Sequence, residues 1–443
     1  MGLAGTVVIL AAGQGTRMQS AKAKVLHEVC ARPLIAWVYE QALALDPARI
    51  AVVVGPASED LQAAVRALPG GERAQFVEQA QRLGTGHALQ QCLPWVGEGA
   101  GPVLVLYGDM PLIRAASLAA LSDTWSSSGK GRGLALLSAE VHEPRGFGRV
   151  LREASAGGAA QGSVRAIVEE RDASPAERAV REVNLGVYAF APSFLARALP
   201  QLSNENAQRE YYLTDLVAAA VAAGEPALAS RLEDESEALG VNTLAQLAQA
   251  RSALQLRILE AHLAAGVQIE DPATTFIDHG VEIGAGTRIL PCTVIRAGVR
   301  IGRGCEVGPF THLRAGTVLA DGAEVGNFTE AKQAKIGEHS KAKHLAYLGD
   351  VTIGARVNIG AGTIVANYDG RQKHHTQIGE RAFIGSGSVL IAPVEIGPGA
   401  LTGGGAVVTR NSRIPAGEAW VGVPAKPLAK RAAPPAGGHA RPT

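Results

Sequence analysis

Aromatic residues make up only 4% of the chain, and cysteine and methionine are rarer still, at four and three. The four cysteines, Cys30, Cys92, Cys292 and Cys305, are scattered. They lack the close pairing of a zinc or redox site and the density of a disulfide scaffold, so reduced, mostly buried thiols are expected. Neither sign of charge is in excess. Lys plus Arg total 42 against 41 for Asp plus Glu, which excludes the basic balance of a nucleic-acid-binding protein and makes any phosphate binding local. Long hydrophobic runs are missing too. The apolar stretch Val7 to Ala12 stops at Gly13 with no basic stretch before it, so neither a signal peptide nor a membrane span fits, and a cytoplasmic location is expected.

Glycine, by contrast, is abundant, with 53 residues among 443, and two periodicities divide the chain. Up to about residue 230, β-branched runs such as Val7-Val8-Ile9-Leu10, Ala51-Val52-Val53-Val54 and Val103-Leu104-Val105-Leu106 alternate with helical stretches. That is the rhythm of a Rossmann-like, mostly parallel α/β sheet. Between Leu244 and Gly266 apolar residues recur at helical spacing, which predicts a helix within a linker over 231–266. From Ile277 the period becomes six: Ile277, Ile283, Ile289, Ile295, Ile301, Val307, Leu313, Leu319, Val325 and Ala331 follow without a slip. The same spacing returns at Ile353, Ile359 and Val365 and again from Ile378 to Ile414. A six-residue unit with one aliphatic forms one flat face, and three faces close a coil, so 267–426 is expected to be a parallel β-helix. The Pro- and Gly-rich stretch over 427–443 is expected to be a disordered tail.

Two sets of motifs carry chemistry. Leu10-Ala11-Ala12-Gly13-Gln14-Gly15-Thr16-Arg17-Met18 follows the first strand directly, placing a glycine loop at the carboxyl edge of a parallel sheet, where such sheets bind ligands. Backbone N–H groups there can approach phosphate oxygens, and Arg17 adds a bidentate donor. With Lys24-Val25-Leu26-His27, this stretch resembles the sugar-nucleotidyltransferases. The resemblance continues through Gln79, Leu83-Gly84-Thr85-Gly86, Tyr107-Gly108-Asp109, Gly146-Phe147-Gly148-Arg149, Ile167-Val168-Glu169, Asn184-Leu185-Gly186 and Gly240-Val241-Asn242. It departs from the family's pattern at Ala23, where proline is usual, and at Leu185, where threonine is usual.

In the second half, His344-Leu345-Ala346-Tyr347-Leu348-Gly349-Asp350 interrupts the six-residue register, and Asn367-Tyr368-Asp369-Gly370 opens a polar loop running to about Thr376. These stretches, with Leu313-Arg314, Val325-Gly326-Asn327-Phe328, Lys332, Asn358-Ile359-Gly360-Ala361-Gly362-Thr363 and Ile384-Gly385-Ser386, resemble the bacterial bifunctional uridylyltransferase/acetyltransferases. That resemblance implies a left-handed β-helix, homotrimers with acetyltransferase sites shared between neighbours, UTP and acetyl-CoA as substrates, and Mg²⁺.

By position, the resemblance implies nucleotide binding by Leu10, Ala11, Ala12, Gly13, Gly15, Arg17, Lys24, Gln79, Gly84, Thr85, Tyr107 and Gly108. It implies metal binding by Asp109 and Asn242, and sugar-phosphate binding by Gly148, Glu169, Asn184 and Asn242. In the second half it implies His344 as general base, facing the Asn367-Tyr368 loop, with Arg314 and Lys332 on the sugar phosphate and Tyr347, Asn358 and Asn367 orienting the sugar. Tyr368 and Ser386 would handle the thioester, with Asn367 beside them, and Ala361 and Gly404 would border CoA. The usual arginine near the end is replaced by Gly422 within Val421-Gly422-Val423-Pro424, leaving Lys426 as the nearest cation to stand in for it. Two other readings share this architecture: a monofunctional nucleotidyltransferase whose β-helix only assembles it, and a non-catalytic regulatory subunit.

Overall fold

The computed structural model describes residues 5–13, 15–20, 22–96, 101–127, 131–153, 163–206 and 208–428. The chain forms two compact units, Met1–Leu254 and Gln255–Thr443.

In the first unit a seven-stranded path runs in spatial order Ala227–Arg231, Leu134–Glu140, Glu182–Phe190, Val103–Tyr107, Thr6–Leu10, Arg49–Val54 and Ala74–Glu78. Every neighbouring pair is parallel except the two made by Glu182–Phe190, which is antiparallel to both its neighbours. The central strands are continuous apolar runs because helices cover the sheet, so Val7, Val8 and Ile9 are fully buried. Thr6–Leu10 lies between Arg49–Val54 and Val103–Tyr107, and the chain leaves it at the carboxyl edge with Ala11 N donating to Val53 O and Gly108 N to Leu10 O.

The second unit is a parallel β-helix. Arg288 pairs with Glu306, His312 with Glu330 and Arg300 with Val318, so one coil takes three six-residue units. The in-register aliphatics fill the interior: Ile277, Ile289, Ile295, Val307 and Leu313 are all fully buried. The spacing breaks twice. Glu330 pairs with Tyr347, one residue short of a full coil, and Val351 with Thr376, seven residues beyond it. The excess is the loop that begins at Asn367.

Two boundaries expected from sequence are corrected. Residues 231–243 are not a linker, because they pack into the first unit: Glu237 is buried and accepts from Arg114 N and Ser117 Oγ, and Val241 N donates to Asp109 O. The division falls instead inside the helix Leu244–Ala264, between Leu254 and Gln255. From Gln255 onward that helix belongs to the β-helix unit, where Leu259 joins the aliphatic core and Gln255 Nε2 donates to Ile277 O. Nor does the expected tail begin at 427: Pro427 lies in the strand Lys426–Pro427, antiparallel to Ala419–Val421. The rest of that tail, 429–443, lies outside the described residues.

Candidate functional sites

In the first unit a cavity of about 550 Å³ opens at the carboxyl edge of the sheet. Leu10, Ala11, Ala12, Gly13, Lys24, Gln79, Gly84, Thr85, Tyr107, Asp109, Gly148, Glu169, Asn184 and Asn242 all line it. Segments more than 200 positions apart in sequence therefore meet in one place. Its polar end centres on Lys24, whose Nζ is ion-paired to Asp109 Oδ2 and donates to Asn242 Oδ1 at 2.9 Å. Arg17 Nη2 donates to the same Asn242 oxygen at 2.9 Å. Gly15 and Gly108 support this arrangement without lining the cavity. Gly15 has φ +65°, and a Cβ there would lie 2.5 Å from Lys24 Cβ, so its hydrogen is what lets the lysine stem pass.

At the other end Gln79 is almost fully buried, and its Nε2 donates to Gly84 O at 3.0 Å. Asn184 turns its amide inward, donating to Tyr188 Oη at 2.7 Å and accepting from Gly186 N. Burial, with Asp172 and Asp215 nearby, raises the Glu169 carboxyl above its ordinary range. Burial also holds the Tyr107 phenol well above its own, against a lowering hydrogen bond with Thr85. Arg149, buried behind this wall, donates to the carbonyl oxygens of Phe147 and Arg178 and so braces the Gly146–Gly148 turn.

In the β-helix the two register breaks bring Lys332, Tyr347 and Asn367 together. Lys332 lies opposite Gly349 in the ladder, and a Cβ on Gly349 would sit 2.7 Å from both Tyr347 Oη and Asn367 Nδ2. Glycine leaves room for both side chains to cross. Asn367 Nδ2 donates to Asp350. Lys373 and Arg314 both approach Lys332 and lower its pKa, Lys373 the more strongly. Arg314 is itself paired with Glu330 at 2.7 Å. Ala361, Ser386 and Gly404 are exposed and stack along one corner, where Gly387 N donates to Ala361 O at 2.7 Å and Gly405 N to Ser386 O at 2.8 Å.

Among the described residues no hydrogen bond or ion pair joins the His344 side chain to that cluster. His344 is exposed at the end of the strand Lys341–His344, in a different sheet from the strands that hold Lys332 and Tyr347, and Asn358 lies in its sheet; Asn367 directly follows the strand Ile364–Ala366. The two-residue link Leu345-Ala346 turns the corner between the sheets, and no hydrogen bond among the described residues joins the imidazole to the loop.

Comparison with known proteins matches one family model within each unit. Residues 7–212 match the MobA-like NTP transferase domain, and 375–410 match the bacterial transferase hexapeptide repeat. The chain is 42% identical to the bifunctional protein GlmU of Methylibium petroleiphilum, covering 94% of this chain and 95% of that one. It is 44% identical to that of Bordetella parapertussis, over 93% and 95%. The chain belongs to the GlmU family.

For a GlmU-family chain, several cavity residues escaped the sequence reading. Arg82, Gln208, Glu210, Tyr212 and Thr214 line the first cavity. The polar and aromatic run Gln208 to Asp215 follows Asn204-Glu205-Asn206 without a glycine motif, so nothing in its spacing set it apart from a surface loop. In the β-helix, Lys373 and Asp369 lie in the polar loop that opens at Asn367, but the sequence assigns neither a role of its own. Asp369 accepts from Arg371 N, Gln372 N, His374 Nε2 and Arg410 Nη2, at 2.8 to 3.1 Å for Gln372 and Arg410, the shortest being His374 at 2.7 Å.

Proposed function

We infer that this chain catalyses two successive transfers: acetyl from acetyl-CoA to the amine of glucosamine-1-phosphate, then uridylyl from UTP to the resulting N-acetylglucosamine-1-phosphate. The observation that carries this reading is the pairing, in one chain matched over almost its full length by GlmU proteins, of the Lys24–Asp109–Asn242 cavity with the Lys332–Tyr347–Asn367 cluster. A monofunctional enzyme would need no polar cluster at the register breaks. A regulatory subunit would not need Lys24, Asp109 and Asn242 held together.

In uridylyl transfer a phosphate oxygen of the sugar 1-phosphate attacks the α-phosphorus of UTP, one P–O bond forms, the bond to the β-phosphate breaks and pyrophosphate leaves. No protein nucleophile is required, so the protein's work is alignment and charge neutralisation. Lys24 and Arg17 face the phosphates, Glu169 and Asn184 the sugar, and Gln79 and Gly84 the base. The donor set fits Mg²⁺: one carboxylate and one amide oxygen, Asp109 Oδ2 and Asn242 Oδ1, already gather round positive charge, both meeting Lys24 Nζ and the amide oxygen also Arg17 Nη2. Mg²⁺ is commonly held by one or two such oxygens plus substrate phosphates. When bound, it neutralises developing phosphate charge.

In acetyl transfer the amine nitrogen attacks the thioester carbonyl, a C–N bond forms, the C–S bond breaks and CoA leaves as its thiol. His344 accepts the amine proton, and the departing thiolate takes up a proton in its turn, which returns the imidazole to its starting state. Arg314 and Lys332 hold the sugar phosphate, Tyr347, Asn358 and Asn367 orient the sugar, and Tyr368 and Ser386 meet the thioester. CoA runs along the Ala361–Ser386–Gly404 corner. Because no hydrogen bond ties His344 to the cluster within one chain, the complete site is proposed to form where copies meet, in a homotrimer. The exposed Phe310 and Phe328, stacked at 5.1 Å, and exposed Leu345 provide an apolar surface for that contact. Among the described residues no helix is long and apolar enough to cross a membrane, and the cytoplasm, where UTP and acetyl-CoA are made and used, is the proposed place of action.

The deciding experiment is His344→Ala, with both activities followed on one preparation. Acetyl transfer is expected to fall at least about a hundredfold, as for loss of a positioned general base, while uridylyl transfer onto supplied N-acetylglucosamine-1-phosphate persists. Retention of both activities would remove His344 from the mechanism. Equal loss of both would indicate a folding defect.

A further inference from the structure

Arg82 lies between Gln79 and Gly84 and lines the first cavity. Its Nε donates to Ala12 O at 2.7 Å. Its guanidinium also packs over Gly55, where a Cβ would lie 2.6 Å from Nη2. Ala12 and Gly55 follow the adjacent parallel strands Thr6–Leu10 and Arg49–Val54, so the guanidinium sits at the carboxyl edge of the sheet. Among the described residues it has no carboxylate partner and no acceptor other than Ala12 O. A guanidinium carries five N–H donors and no acceptor, and most of these remain unused beside a cavity.

The cavity has two chemically different ends. Lys24, Asp109, Asn242 and Arg17 gather the charge at one. Gln79, a buried neutral amide, marks the other. Ala12 and Gly84 carbonyl oxygens can only accept, so they fix Arg82 Nε and Gln79 Nε2 as the groups turned toward the backbone. That leaves N–H donors on Arg82 and an acceptor oxygen on Gln79 for a ligand. Uracil presents an N3–H donor flanked by carbonyl acceptors, whereas cytosine has an unprotonated N3 and an amino group at C4. An Arg82 donor opposite the C4 substituent and a Gln79 oxygen opposite N3 would match uracil, whereas cytosine presents the reverse order along the same edge and would be opposed.

We propose that Arg82 is a specificity-determining residue that donates to a carbonyl oxygen of the uracil base. This rests on UTP being the substrate of the first unit. A hydrogen bond from a charged donor is typically worth more than a neutral one, and its loss leaves the ligand's acceptor unpaired. The test is equilibrium competition on the full chain, giving the dissociation constants of UTP and CTP for wild type, Arg82→Met and Gly55→Ala. Methionine keeps an apolar stem and removes every donor. Alanine at position 55 retains the arginine but displaces its flexible end. In both variants the preference for UTP over CTP is expected to shrink at least about tenfold, mainly through weaker UTP binding, with acetyl transfer unchanged. An unchanged UTP-to-CTP ratio, whether or not both nucleotides weaken, would overturn the proposal, and weakening of both that is relieved by salt would assign Arg82 to the phosphates. A wild-type chain that binds no UTP would instead overturn the proposed function itself.

Discussion

Gly15 shows how one missing side chain governs a charged site. Its φ of +65° lies in the left-handed region, and the Lys24 stem occupies the space a Cβ would take. Gly15→Ala is therefore expected to destabilise the first unit by about 1–3 kcal/mol and, by displacing Lys24, to lower uridylyl transfer more than tenfold while acetyl transfer is unchanged. Assaying both activities beside a thermal melt separates the local effect from a global one. A residue with the opposite balance is Ala31. Cys30 and Ala31, at φ +51° and +62°, form the two-residue turn of the hairpin Glu28–Val29 and Arg32–Pro33. Such a turn needs positive φ at both positions and favours glycine. Ala31 is exposed, so its methyl contributes little packing. Ala31→Gly is expected to raise stability by roughly 0.5–1 kcal/mol, seen as a higher melting temperature; a lower one would mean that the turn tolerates alanine without strain.

At the scale of an element, the loop from Asn367 to Thr376 is an insertion held by its own carboxylate. Two backbone N–H groups, His374 and Arg410 converge on Asp369 and hold its pKa well below the ordinary 3.8, the largest contribution coming from Gln372 N–H. Because the folded value is depressed, the stabilisation is present above the unfolded value and is lost as pH falls below it. Asp369→Asn is expected to lower acetyl transfer near neutral pH, since the loop carries Asn367, Tyr368 and Lys373, and to leave uridylyl transfer alone. The difference in melting temperature between wild type and variant should narrow as pH drops below 3.8. A difference independent of pH would show that the carboxylate charge does not hold the loop.

At the scale of the whole molecule, the helix Leu244–Ala264 is shared by the two units, and its second half closes the first coils of the β-helix through Leu259 and Gln255. A fragment beginning at Leu244 is expected to fold and acetylate without the first unit. One beginning at Gly266 loses the buried Leu259 and should be less stable by several kcal/mol, as when a large apolar side chain is removed from a core. Urea melts of the two fragments measure this, and equal midpoints would mean that the helix adds nothing to the β-helix core.

What the sequence determined by itself was whatever repeats or is local. The glycine loop after Val7 to Leu10 needs only neighbouring residues to be recognised, and the six-residue aliphatic period from Ile277 reflects a coil that builds the same layer repeatedly. The register breaks at His344 and Asn367 were visible because a repeat makes its own interruptions conspicuous. The tertiary structure decided what depends on residues distant in sequence. Only the folded sheet brings Asn242 to Lys24 and Arg82 to Ala12. Only the packing of Glu237 and Val241 assigns 231–243 to the first unit. His344 and Tyr347, three positions apart, lie in different sheets because the chain turns a corner between them. Periodicity records which way a side chain faces within its own element; which distant groups it meets is fixed only when the elements pack.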